Sequence, residues 1–339
     1  MQENKKKLVD ALFNVSYHKK IPLYTLIELT YRCNFLCKHC YIQKNYCEEK
    51  FPELTSKEIV SLIEEIYSLG GMYLIFTGGE PLLRKDIFDL IKFAKKLNFF
   101  VILFTNGSFL DEFVVEKLKV CGVDKIEISL YGDKKYHQVF VGKKNVYDKI
   151  IKAIRLLKKN NISVSIKSVI TKQNFIQRKF LELLAKSIGV EYKFDFVITP
   201  KNNGDFSTTE LMLDEKRIYL LLKEYNYKKE KVDFLSNVTC SAGINIVGIN
   251  PYGDVFPCIQ FPYKLGNIKE KKFKDIWENN NFRERFAQIK YYKECRGCEL
   301  LFWCNRCPGL SFVENKNLYS CSSITKKVAS IFKKIYMSS

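Results

Sequence analysis

Short β-branched or aromatic runs alternate with longer stretches of helical period through the first two thirds of the chain. The strand candidates lie at residues 26–30, 73–77, 100–105, 125–130, 163–170 and 193–198. The helix candidates between them lie at residues 56–69, 86–97, 111–121, 146–159 and 175–188. A strand that must be followed by a helix before the next strand returns parallel to its predecessor, so the pattern specifies repeated βα units on a parallel sheet. Ser56 with Glu58 starts the first helix, and Gly70-Gly71 stops it. Such a series closes into a partial barrel or opens into a doubly wound sheet, and periodicity alone does not choose. After Pro200 the pattern breaks. Residues 201–205 read as a loop, 213–225 as one more helix, 244–255 as a hairpin around Asn250-Pro251-Tyr252-Gly253-Asp254, and 273–289 as a helix.

The chain has 12 cysteines in 339 residues. Its first residues are Lys-rich without a continuous apolar core, and no later stretch approaches the roughly 18 apolar residues of a bilayer span. The expectation is therefore a soluble cytoplasmic protein. There thiols stay reduced, so metal binding or catalysis rather than disulfides is the expected use of the cysteines. The formal charge of +19 comes mainly from lysines spread along helical segments. A solvated basic surface is the first reading of that charge, an acidic peptide or protein partner the second, and nucleic acid the least favoured.

The first cysteine group is Tyr31-Arg32-Cys33-Asn34-Phe35-Leu36-Cys37-Lys38-His39-Cys40-Tyr41, directly after the first strand. Strand C-termini are where βα folds place their chemistry. Three thiolates spaced C-x3-C-x2-C on one loop reach three irons of a cubane cluster and leave the fourth open to substrate. The competing reading is zinc, but structural zinc sites use four ligands, usually from paired C-x2-C knuckles. His39 sits between two of these cysteines and is expected to pack rather than ligate.

This loop is the motif of the radical S-adenosylmethionine (SAM) superfamily, and the resemblance extends over about residues 22–230. It implies a [4Fe–4S] cluster on Cys33, Cys37 and Cys40 whose open iron chelates SAM, with reductive cleavage giving a 5′-deoxyadenosyl radical. It also implies a partial (β/α)6 barrel. Thr77-Gly78-Gly79-Glu80-Pro81 resembles the family's GGEP motif, which contacts the methionine amino group; glycines permit close backbone approach, and Glu80 offers an acceptor for an ammonium. Thr105-Asn106-Gly107 resembles its T-N-G turn, and Ile128-Ser129-Leu130-Tyr131-Gly132 the strand whose Ser129 contacts SAM. Relatives often carry an Arg about twelve residues beyond that Ser; here Val141 stands there, and Lys167 is the substitute cation considered.

The second group runs Cys240-x12-Gly253-x4-Cys258, then Cys295-x2-Cys298-x5-Cys304-x2-Cys307, then Cys321. It resembles the SPASM extension of peptide- and protein-modifying radical SAM enzymes, which holds two auxiliary [4Fe–4S] clusters. The gap between Cys304 and Cys307 is one residue shorter than usual. A structural zinc ribbon is the alternative. The resemblance implies one cluster on Cys295, Cys298, Cys304 and Cys321, and another on Cys240, Cys258 and Cys307, one thiolate short. Cys47 reads as a surface thiol near the first loop, and Cys121 as a small apolar residue at a helix end. The organisation expected is an N-terminal segment 1–21, a radical SAM core 22–230, a SPASM domain 231–325 and a tail 326–339.

The resemblance implies an enzyme that abstracts hydrogen from a peptide, forming a crosslink, an epimerised centre or an oxidised side chain. A flavodoxin- or ferredoxin-type protein would supply the electron. With about twenty residues before the first strand, leader recognition would fall to a separate partner protein. A sulfatase-maturase role is disfavoured because Ile259-Gln260, not Asp, follows Cys258. The alternatives are a tetrapyrrole-modifying radical SAM enzyme of haem biosynthesis, one acting on RNA, and a zinc-stabilised basic nucleic-acid-binding protein.

Overall fold

The structure is a computed structural model and describes residues 11–42, 52–225, 240–282 and 293–337. Six parallel strands follow one another across the sheet: β1 (Tyr24–Thr30), β2 (Tyr73–Gly78), β3 (Phe100–Thr105), β4 (Lys125–Ser129), β5 (Ser163–Val169) and β6 (Glu191–Asp195). Between them lie helices α1 (Ser56–Ser68), α2 (Ile87–Lys96), α3 (Glu112–Cys121), α4 (Lys134–Val141), α5 (Tyr147–Lys159) and α6 (Gln177–Ile188). Helix α1 starts at Ser56 as expected, with Thr55 as its N-cap in a capping box with Glu58. The last strand ends before residue 196, short of the expected 193–198, and α4 was not foreseen. Its polar Lys134-Lys135 start and brief apolar face give weak periodicity.

Alternation along the strands separates two surfaces. Ile27, Leu29, Leu74, Phe76, Val101, Leu103, Ile126, Ile128 and Ile166 face the helices and are almost fully buried with Ile59, Leu62, Leu90, Val115, Ile154 and Leu181. Burial of each such side chain stabilises the fold by about 2 kcal/mol. The opposite residues line the concave face. Register sets Glu28 beside Thr77, Phe104 beside Glu127, and Ser129 beside Lys167 and then Lys193. At the strand N-termini Phe13, Tyr24, Tyr73 and Phe100 form a ladder of rings with centroids 6.2, 4.3 and 5.6 Å apart, closing that end with aromatic surface.

The sheet does not close. The expected hairpin is present as β7 (Ile246–Ile249) and β8 (Asp254–Phe256), and β7 pairs in parallel with β1. With β9 (Gly266–Asn267) the order becomes β6-β5-β4-β3-β2-β1-β7-β8-β9. The cysteine-rich region therefore continues the barrel's own sheet. Helix α7 (Glu215–Glu224) follows the last βα unit, and α8 (Phe273–Glu278) packs Phe273, Ile276 and Trp277 into the main core. The helix expected over residues 273–289 ends at Glu278, capped at Asn279, and residues 283–289 lie outside the described residues. Two helices end the chain, α9 (Pro308–Asn315) and α10 (Ser323–Met337). Residues expected to be a tail from 326 are thus helical to Met337, and Val328, Ile331 and Phe332 pack against Ile218, Leu221 and Leu222 of α7. The extension is tied to the barrel at both ends.

Candidate functional site

The cysteine loop leaves β1 at Thr30 and is held from two sides. Cys33 is exposed, while Cys37 and Cys40 are half-buried. From below, Gly79 N–H donates to Thr30 O at 2.7 Å and Glu80 N–H to Arg32 O at 2.9 Å. From the side, Leu36 N–H donates to Val141 O at 2.8 Å and Lys38 N–H to Phe140 O at 3.1 Å. The carbonyls at the end of α4 thus clamp the middle of the loop, which gives the unforeseen helix its purpose. Val141, where relatives carry a cation, is fully buried against the core.

His39 packs as expected. It is half-buried against Phe140 and Tyr131, with ring centroids 5.2 and 4.9 Å away, and loss of solvent around the ring lowers its pKa to about 4, so the imidazole is neutral.

The glycines of Gly78-Gly79-Glu80 serve the loop directly. A Cβ on Gly79 would stand 2.3 Å from Arg32 O, and one on Gly78, where φ is +124°, would stand 2.4 Å from Thr30 O. Side chains cannot fit there without pushing β2 away from the cysteine loop. Glu80 is fully buried. Its carboxylate accepts from Leu82 N–H at 3.1 Å, Thr105 Oγ1 at 2.7 Å and Asn106 N–H at 2.8 Å, and burial raises its pKa to about 7 against those donors. It is a brace between the ends of β2 and β3 rather than an acceptor presented at a surface. Asn106 extends the brace to the cysteines: its Nδ2 donates to Asn34 Oδ1 at 2.8 Å and stands 4.0 Å from Cys33 Sγ. Ser129 ends β4, beside Lys167 in register. Lys167 pairs with Glu127 at 3.3 Å and lies over the Phe104 ring.

A carboxylate that the motifs did not single out lies on the concave face. Glu28 is 2% exposed and accepts from Tyr31 Oη at 3.0 Å and from Tyr41 Oη. Burial raises its pKa to about 7. An acidic residue inside the apolar run Leu26-Ile27-Glu28-Leu29 was the available signal.

The later cysteines separate into two neighbourhoods. Burial raises the Cys258 pKa to about 12, with Cys240, Cys307 and Glu28 adding to the effect, so this trio stands together and next to the concave face. Burial also raises Cys321, helped by Cys295 and Cys298. Cys304 ends the short 3-10 turn Leu301–Trp303. Cys121 is half-buried against the core, as read, and Cys47 lies outside the described residues.

Neutral thiols crowded in buried sites are poor company; bound metal converts them to thiolates and offsets the desolvation. A cubane places each thiolate on a different iron and takes three thiols from one loop, whereas a structural zinc takes four ligands on one ion, so the donor set after β1 fits a cluster better than a lone zinc.

Among the described residues, no helix is long and apolar enough to cross a membrane. The profile of the radical SAM superfamily matches residues 27–184, and that of SPASM, an iron-sulfur cluster-binding domain, residues 240–299. The chain is 29% identical over 314 residues to the AdoMet-dependent heme synthase of Methanosarcina barkeri, covering 80% of this chain and 89% of that protein. It is 27% identical to the Fe-coproporphyrin III synthase of the same organism, covering 88% and 86%. Among solved structures it resembles Streptococcus suis SuiB bound to the precursor peptide SuiA, with a TM-score of 0.69, 18% identity, and 96% and 80% of the two chains covered. It equally resembles anSMEcpe with bound AdoMet, with a TM-score of 0.69, 19% identity, and 94% and 98% covered. At that identity the solved structures speak for the fold. The order of the two matched domains, together spanning more than half of the chain, agrees with the open parallel sheet and its cysteine-bearing extension: this chain is an enzyme of the radical SAM superfamily with a C-terminal SPASM domain, whose cofactors are SAM and iron-sulfur clusters.

Proposed function

We propose that the chain removes a hydrogen atom from a carboxylate-bearing organic substrate held on the concave face. Cys33, Cys37 and Cys40 hold the cluster that binds SAM. Cys295, Cys298, Cys304 and Cys321 hold one auxiliary cluster, and Cys240, Cys258 and Cys307 the other. When bound, the first cluster and SAM supply the 5′-deoxyadenosyl radical. The protein's part is position. Gly78 and Gly79 let the cysteine loop lie on β2, Glu80 and Asn106 brace its edge, and Ser129 and Lys167 flank the SAM site from β4 and β5.

The observation behind the substrate class is the group of lysines on the concave face. Lys125, Lys167 and Lys193 stand 3.8, 3.3 and 3.3 Å from the single buried carboxylate of Glu127, with Glu191 sharing Lys125 and Lys193. Three ammonium groups on two carboxylates leave a positive excess, and Lys167 and Lys193 are half exposed in register on the two strands beside the open side of the barrel. Fixed cations there favour an anionic side chain. The relatives named as heme and Fe-coproporphyrin III synthases are matched over most of their length, which supports a tetrapyrrole with propionate side chains. A second reading, an acidic peptide delivered by a separate leader-binding protein, is supported by the net charge of +19. In either case the electron would come from a flavodoxin- or ferredoxin-type donor, and the thiols call for the reducing cytoplasm.

The test is anaerobic turnover with dithionite. Reconstituted protein should convert SAM to 5′-deoxyadenosine, and Cys37→Ala should not. Iron coproporphyrin III as probe should raise 5′-deoxyadenosine release and lose carboxylate mass; an acidic precursor peptide doing so instead selects the second reading. Equal SAM cleavage by Cys37→Ala would overturn the assignment.

A further inference from the structure

Arg306 stands directly before Cys307 and two residues after Cys304, and it is only 6% exposed. One guanidinium nitrogen donates to Leu318 O at 2.5 Å and to Ser320 O at 3.0 Å, which fixes the segment leading into Cys321. Arg306 is thus placed by sequence beside Cys304 and Cys307 and by its hydrogen bonds beside Cys321. Cys295, Cys240 and Cys307 all lie within its electrostatic reach. One buried cation therefore faces thiols from both groups proposed as auxiliary ligands.

A buried guanidinium costs less when anions accompany it. The Glu294 and Glu314 carboxylates act on the same cysteines, and metal-bound thiolates would add to them, because a cluster with its thiolates is an anion and gains one further negative charge on one-electron reduction. A fixed positive charge favours the reduced form, since net charge is among the terms that set cluster potentials.

Building on the ligand assignment above, we propose that Arg306 is the common electrostatic partner of the two auxiliary cluster sites, positioning the Cys321 segment and raising the reduction potentials of the clusters bound beside it. It is a positioning residue: it acts on iron through the thiolates.

The test uses the full-length, anaerobically reconstituted holoenzyme with Arg306→Met and Arg306→Lys, dithionite as reductant, iron analysis, and redox titration followed by electron paramagnetic resonance. Arg306→Met should weaken reduction of at least one auxiliary cluster tenfold or more, about 59 mV for one electron, while the SAM-binding cluster keeps its potential. Arg306→Lys should recover most of the difference. Unchanged potentials in an iron-replete Arg306→Met protein would overturn the proposal, as would equal shifts in both variants, which would assign the effect to the lost carbonyl bonds. If Arg306→Met fails to hold auxiliary iron, retention by Arg306→Lys supports the need for charge, and loss from both makes Arg306 a clamp of the chain alone. Wild-type protein with about four irons would instead refute the auxiliary clusters themselves and the inference with them.

Discussion

Glu80 at the end of β2 receives the Asn106 backbone N–H at the end of β3 at 2.8 Å, inside a fully buried pocket. The other carboxylate oxygen takes Leu82 N–H and Thr105 Oγ1. A glutamine there keeps one acceptor oxygen and turns its NH2 toward a donor. Glu80→Gln should therefore cost about 1–3 kcal/mol in unfolding free energy. SAM cleavage should fall with it, since Asn106 also reaches Asn34 in the cysteine loop. Urea unfolding and 5′-deoxyadenosine release measure the two effects; a neutral result in both would remove Glu80 from the brace.

Gly79→Ala should lower iron content and SAM cleavage together, because the added Cβ meets Arg32 O at 2.3 Å and displaces the loop that carries the cysteines. A substitution that merely crowded SAM would leave the iron in place. Iron per chain and SAM binding in Gly79→Ala, measured against wild type, decide between a displaced loop and a blocked SAM pocket.

Glu28 makes a pH prediction. Burial raises its pKa from 4.5 to about 7, so between those values the folded protein holds a proton that the unfolded chain has released. Its contribution is fully present below about 4.5 and is lost as pH rises through about 7, a change of about 3 kcal/mol. His39 acts oppositely: its pKa is lowered to about 4, so its stabilising effect grows as pH rises toward the ordinary histidine range. The difference between wild type and Glu28→Gln isolates the carboxyl. In urea unfolding of the metal-free protein, the variant should gain on wild type as pH rises from about 4.5 to 7, and a constant gap would contradict this.

Cys298→Ala should spare SAM cleavage and abolish product formation, because Cys298 neighbours Cys295 and Cys321 in the extension rather than the loop after β1. A variant lacking Cys33, Cys37 and Cys40 should still hold about eight irons. Circular dichroism must accompany the assay, since a lost ligand can unfold a small metal domain.

Lys167→Met with Lys193→Met should raise KM for a carboxylate-bearing substrate about tenfold or more while auxiliary iron stays constant. Both lysines stand 3.3 Å from Glu127 and are half exposed, so removing them leaves a buried carboxylate facing the substrate. An unchanged KM would place the anion site elsewhere.

Hydrophobic periodicity was sufficient to read the βα series, and the spacing of Cys33, Cys37 and Cys40 pointed to a cubane; the order of the domains and SAM itself came from the resemblance that these motifs carry. Alternation fixes which strand residues face the helices, and ligand spacing on one loop is a local geometric property. Neither kind of signal reaches across the chain. That β7 would pair with β1, that the carbonyls of Phe140 and Val141 would hold the cysteine loop, and that α10 would return to α7 depend on contacts between distant segments. The role of Gly79 was half legible: the motif marked a close approach, but the tertiary structure shows that the approaching group is the backbone at Arg32. Glu28, Glu80 and Arg306 carry no periodic signature, because the meaning of a buried charge is set by the dipoles and charges that folding gathers around it.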